Sequence, residues 1–139
     1  YNYARCMQRE DEVAATLALN EFIDQTLSLL YLLNKKYKPY YKWSYYGLKD
    51  CTCLQAVTPL LLQLVQLPSQ KQHWPQKNSI INTDDQKVVL IEKICQLVIG
   101  ELHRQGLSTS DDDFLDNHTL EVMSHIQDDH IRMKHVMEG

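Results

Sequence analysis

Glycine and proline are scarce, four of each in 139 residues, and long stretches contain neither. That scarcity argues against a many-turned β domain and favours long helices. The four cysteines form no C-x-x-C pair, and Cys51-Thr52-Cys53 is too isolated to be half of a zinc site, so buried or incidental thiols are expected. No secretory segment precedes them, which fits a reduced, cytoplasmic compartment and leaves the sequon Asn117-His118-Thr119 without meaning. No apolar run reaches the roughly 18 residues a membrane-spanning helix needs, so no membrane partner is expected. Also missing are a Gly-rich phosphate loop, a Ser-His-Asp set and a Gly-Ser followed by paired aspartates. Motifs therefore give no reaction, no catalytic residue and no cofactor.

What remains is ordinary in bulk and uneven in detail. Apolar residues make up 44% of the 16.3 kDa chain, enough for one domain with a real core. The net charge of −4 hides a dipole: five lysines and no acid fall in residues 35–49, seven acids and no Lys or Arg in 107–131. General nucleic-acid binding through a broadly basic surface is not indicated. The chain opens on Tyr1 rather than Met, so it is expected to have been cut from something longer, as its C-terminal part.

Helical periodicity runs through most of the chain. From Arg5 to Asn34, Leu19, Phe22, Thr26, Leu29, Leu30 and Leu33 recur at three and four, and Val13, Leu17, Ile23 and Leu27 widen the stripe. Arg5, Arg9, Glu12, Thr16, Asn20 and Asp24 form a polar stripe, which either meets solvent or faces a ligand or neighbouring domain. Pro39 is expected to end this helix, and a short one is expected over Tyr40–Leu48. Leu54, Val57, Leu61, Leu64 and Val65 mark a further helix, with Thr58-Pro59 as a kink or a restart. Residues 68–82 are the longest irregular stretch. Thr83-Asp84-Asp85-Gln86 reads as a capping box before Val88, Ile91, Ile94, Cys95, Val98 and Leu102, and Gly106 stops that helix. A last helix is expected from Ser110 or Asp111, with Leu115, Thr119, Val122, Ile126 and Met133 buried. The fold class is all-α: an up-and-down bundle of four long helices plus one short helix after the aromatic elbow.

Two clusters could carry chemistry at the acidic end. His118, Glu121, His125, Asp128 and Asp129 lie near one face of the last helix at spacings that suit a divalent metal, but no other helix offers matching carboxylates, so a solvated acidic face is the plainer reading. Asp111-Asp112-Asp113 points in three directions and suits a helix start better than a metal. The spaced Arg and His of helical ribonuclease domains is missing.

The remaining feature is the junction after the first helix. Six of the eight tyrosines lie between Tyr31 and Tyr46, interleaved with Lys35, Lys36, Lys38, Lys42 and Lys49 and with Trp43. Wide rings and flexible cations suit either a wedge between two helices or a platform where a base or sugar stacks and Lys35, Lys38 and Lys42 neutralise phosphate. Residue types alone do not separate the two.

The run Leu32-Leu33-Asn34-Lys35-Lys36-Tyr37-Lys38-Pro39-Tyr40-Tyr41-Lys42-Trp43, with Tyr1-Asn2-Tyr3-Ala4-Arg5 and Arg9 upstream, resembles the C-terminal region of the domain-of-unknown-function family 4037 over about residues 1–50. It departs at Tyr46, where the family pattern has an Arg. The resemblance implies a helical domain following a nucleotidyltransferase-like α/β domain, non-catalytic alone, that closes over a nucleotide or phosphorylated acceptor. It implies substrate contacts from Arg5, Arg9, Tyr37, Tyr40, Lys42 and Trp43, with the N-terminal domain of the parent chain as partner. The alternatives are an antitoxin-like module that forms a homodimer through an apolar helix face, and a small metal-binding enzyme built on His118 and His125.

Overall fold

The computed structural model describes residues 1–68, 74 and 82–134, and every regular element among them is helical. The expected irregular stretch 68–82 lies outside the described residues except for Pro68, Trp74 and Asn82. The chain divides into two compact units, Tyr1–Ile94 and Cys95–Gly139. No described helix is long and apolar enough to cross a membrane.

The first unit opens with α1 (Asn2–Gln8) and α2 (Glu12–Leu33), where a single helix was expected. The break lies at Glu10, whose φ of 58° is left-handed. Its amide bonds the Met7 carbonyl while the Asp11 amide reaches back to Cys6, a Schellman closure of α1. Asp11 then caps α2, its Oδ1 accepting from the Ala14 amide at 2.9 Å. Leu19, Thr26, Leu27, Leu30 and Leu33 are buried as the periodicity predicts, and Tyr31 is buried beside them; Phe22, Ile23 and Leu29 are only partly covered and Val13 and Leu17 are exposed, so the buried stripe is narrower than expected.

Pro39 does not end α2. The helix closes five residues earlier by the same device, with Lys35 at φ 56°, its amide on Leu32 and the Lys36 amide on Tyr31. An L-residue in this conformation costs about 1–2 kcal/mol, against a backbone entropy cost of about 0.5–1 kcal/mol for glycine. Lys35→Gly is therefore expected to stabilise the chain by about 0.5–1 kcal/mol, read as a higher midpoint in urea. A lower midpoint would show that Lys35 makes contacts worth more than the strain.

Beyond the elbow come α3 (Tyr41–Ser44), a 3₁₀ turn (Tyr46–Asp50), α4 (Val57–Gln66) and α5 (Gln86–Arg104). Pro59 neither kinks nor restarts α4; it sits in the first turn, where a missing N–H leaves no bond broken. Val57, Leu60, Leu61 and Leu64 are buried while Val65 is exposed. The cap of α5 is Asp85 rather than Thr83: its Oδ1 accepts from the Lys87 and Val88 amides at 2.7 and 3.2 Å. Its other oxygen accepts from the Tyr3 hydroxyl at 3.2 Å, tying α1 to the start of α5. Burial, then the Asp85 charge, pushes the Tyr3 phenol well above its ordinary pKa.

In the second unit α5 ends as expected at Gly106 (φ 68°), but the long last helix is absent. A loop is followed by a 3₁₀ turn (Leu115–His118), α6 (Thr119–Ser124) and α7 (Asp129–Arg132). The cause is local. Ser110 Oγ accepts from the Asp112 amide at 3.2 Å and Asp112 Oδ1 from the Phe114 amide at 2.8 Å, two successive side-chain turns that offer this backbone an alternative to a helix. Leu115, Thr119, Val122 and Ile126 are only partly covered and Met133 is exposed; the buried residue of this segment is His118.

Candidate functional site

The elbow is held from beneath by Tyr31 and Asn34 rather than by Tyr40, Tyr41 or Trp43. Tyr31, on the last turn of α2, is buried and donates its hydroxyl to the Ser44 carbonyl at 2.7 Å. Burial first, then nearby Cys51 and Asp50, holds this phenol above its ordinary pKa, so it stays a donor. Gly47 makes room for it, since a Cβ there would overlap the Tyr31 oxygen. Asn34 clasps the far side: its Oδ1 accepts from the Thr52 and Cys53 amides at 2.8 and 3.0 Å, and its Nδ2 donates to the Cys53 carbonyl at 3.2 Å. Burial also pushes the Cys51 thiol up, against the pull of Lys36, which disfavours the nucleophilic thiolate.

With that support below, the remaining rings face water. Tyr37 is 99% exposed and Trp43 and Tyr46 are each 62% exposed; Tyr40 and Tyr41 are also exposed. They are grouped. Tyr40 and Tyr41 stand 4.6 Å apart between centroids, and Trp43 meets Tyr46 edge-on at 6.2 Å. Lys42 Nζ lies 6.0 Å from the Tyr41 centroid and Lys49 Nζ 4.0 Å from that of Tyr46. Tyr45 alone among the later rings turns back, donating to the Thr58 carbonyl at 3.2 Å.

The lysines divide in the same way. Lys38 is a brace, its Nζ on Asp24 Oδ1 at 2.6 Å and Ser28 Oγ at 3.0 Å, and so is not open to the phosphate contact expected of it. Lys36 bonds the Asp50 carbonyl. Lys35, Lys42 and Lys49 are exposed around the rings.

Tyr37, Tyr40, Lys42 and Trp43 thus share the elbow, with Tyr41, Tyr46 and Lys49 added to them. Arg5 and Arg9 do not join. Arg5 lies over the Tyr1 ring at 5.7 Å and Arg9 donates to Cys6 Sγ at 3.4 Å, both beside the start of α2. The elbow begins at the other end of that 22-residue helix, about 33 Å along its axis.

The acidic end holds a cluster that sequence reasoning read as a solvated face. Ser108 is 2% exposed and His118 1%. Ser108 Oγ lies 2.7 Å from His118 Nδ1 and donates to Glu121 Oε2 at 2.6 Å. Glu121 also accepts from the Thr109 hydroxyl and amide at 2.7 and 2.9 Å, and these bonds, Ser108 first, hold its carboxyl down at about 2. His118 Nε2 faces the Asp112 carbonyl at 2.8 Å.

In a nucleophile triad the imidazole lies between hydroxyl and carboxylate. Here the hydroxyl lies between the other two and is buried, which makes the set a closure of the loop onto α6. It also engages both His118 nitrogens and both Glu121 oxygens, two of the five residues of the metal reading. Among the described residues no group of three His, Cys, Asp or Glu stands where it could hold a metal ion. The available signal was Ser-Thr-Ser directly after the Gly106 stop, with His118 and Glu121 three apart.

Residues 1–44 match the family described as Domain of unknown function (DUF4037). That span runs through α1, α2 and α3 and contains Arg5, Arg9, Tyr37, Tyr40, Lys42 and Trp43. No curated protein and no solved structure matches the chain.

Proposed function

We propose that this chain is the helical, substrate-side domain of a nucleotidyltransferase-like protein, non-catalytic by itself, and that its elbow holds a nucleotide or phosphorylated acceptor. The packing inferred with it is an up-and-down bundle, and its four free cysteines suit a cytoplasmic setting. One observation carries the reading: the rings of Tyr37, Tyr40, Tyr41, Trp43 and Tyr46 are exposed together with Lys42 and Lys49, while Tyr31 and Asn34 do the structural work beneath. Exposed rings beside cations offer a base its face and a phosphate its counter-charge. An open groove of about 450 Å³ beside Gln63, Gln66, Leu67, Gln86, Val89 and Leu90 has no charged side chain among the described residues that line it and suits a phosphate less well.

In the parent protein the elbow would face the catalytic domain's cleft, so the sequence upstream of Tyr1 is expected to contain Gly-Ser and spaced aspartates after a strand. Within this chain, ATP is expected to bind, and Trp43→Ala to weaken it about tenfold to a hundredfold, the worth of one base–ring stack at about 1–3 kcal/mol. Equilibrium dialysis measures this. Equal affinity in the variant would remove the elbow from the site.

A further inference from the structure

We propose that the elbow's ligand is a single-stranded segment of nucleic acid spanning more than one nucleotide. This rests on the reading above that the elbow takes a base-bearing, phosphorylated ligand, and it adds the polymer. The elbow presents two ring platforms, Tyr40 with Tyr41 and Trp43 with Tyr46. A mononucleotide has one base and leaves a platform bare.

Each platform also has its own ammonium group, Lys42 at Tyr41 and Lys49 at Tyr46. A repeated unit of ring plus cation complements a repeated unit of base plus phosphate.

The spacing agrees. Tyr40, Trp43 and Tyr46 recur every third residue through the α3 cap, α3 and the 3₁₀ turn, where a helical backbone advances by about 4.5–6 Å per three residues. A single strand, about 3.4 Å per nucleotide when stacked, can stretch to that step. A duplex cannot use the platforms, because its bases already spend their faces on each other. An acidic peptide would meet the lysines but supply no flat faces for the rings. The chain as a whole is negative, at −4, so attraction is local to residues 35–49 and falls with added salt.

The test is titration of tryptophan fluorescence with thymidylate, with oligothymidylates of increasing length, with a short duplex and with polyphosphate. The Trp43→Phe variant keeps Trp74 and reports any signal that does not come from the elbow. Affinity is expected to rise at least about tenfold from the mononucleotide to a short oligomer and then level off, with the duplex at least about tenfold weaker than the oligomer. Tyr46→Ala is expected to remove most of the gain with length. If the mononucleotide binds as tightly as the oligomers, the polymer is wrong and the nucleotide reading stands. Polyphosphate competing as well as an oligomer of equal charge would overturn stacking on the rings. No response to any of these ligands overturns both proposals.

Discussion

Gly47→Ala is expected to destabilise the chain by about 1–3 kcal/mol, although it adds a single methyl group at a partly exposed turn. The new Cβ would occupy the place of the Tyr31 oxygen. Either the ring shifts within a filled core, at about 1–3 kcal/mol, or the hydroxyl leaves the Ser44 carbonyl, stranding a buried acceptor at a similar cost. The double variant separates this from a general effect of alanine in the turn. Tyr31→Phe alone is expected to cost about 1–3 kcal/mol. With the hydroxyl gone, the added methyl group has room, so the pair should cost little more than Tyr31→Phe by itself. Chemical denaturation of the four proteins in the cycle measures the coupling. Additive costs would mean that Gly47 matters for another reason. The same variant bears on binding, because Tyr31 and Gly47 set the height at which α3 presents Trp43 and the turn presents Tyr46.

Ser108→Ala is the second large effect, at about 2 kcal/mol from one buried hydroxyl. It leaves His118 Nδ1 against a methyl group and takes from Glu121 its shortest bond, 2.6 Å. The pH dependence has a definite sign. The Glu121 carboxyl is depressed from 4.5 to about 2 in the folded chain, first by the Ser108 bond and then by Thr109. A depressed acid contributes stability that is fully present above its unfolded value and is lost as pH falls through the folded one. The contribution therefore disappears between about pH 4.5 and 2. Ser108→Ala is expected to raise the Glu121 value and narrow that window from below, and Glu121→Gln to remove the window. Carboxyl carbon shifts followed by NMR during acid titration report the first, and urea midpoints measured against pH report the second. A Glu121 midpoint unchanged by Ser108→Ala would show that the Thr109 contacts alone hold the carboxylate.

The parts of the fold visible in the sequence were those set by repeated spacing. The inward stripes of α2 and α5 follow from periodicity, the short helix expected over Tyr40–Leu48 is present as α3 and a 3₁₀ turn, and Gly106 announces its own stop. The other closures were hidden because Glu10 and Lys35 take the left-handed position usually given to glycine. Without a Gly to mark it, the break before α2 left no trace, and Pro39 took the credit for a helix end that Lys35 makes. The last helix misled for a different reason. Ser110 and Asp112 look like a helix start in sequence, and in the structure their oxygens hold a loop instead.

The elbow was legible as unusual but not as to which way it faced. Tyr31, Tyr40, Tyr41, Tyr45 and Tyr46 are one residue type in one short stretch, and only backbone geometry separates those that brace it from those that face water. Lys38 and Lys42 differ likewise only in whether Asp24 is within reach. Arg5 and Arg9 share the family match with the elbow but not its place, because the 22 residues of α2, about 33 Å of helix, stand between them.

Both proposals stand on the outward rings of the elbow as a ligand surface. The most direct measurement is an NMR titration of the isotopically labelled chain with ATP, following the two indole N–H signals and the backbone amides together. The prediction is that the Trp43 indole and the amides of residues 37–49 shift with one common midpoint, while the Trp74 indole and the Ser108–Glu121 loop stay in place. Shifts centred on that loop, or a Trp43 signal unmoved at saturating nucleotide, would contradict it.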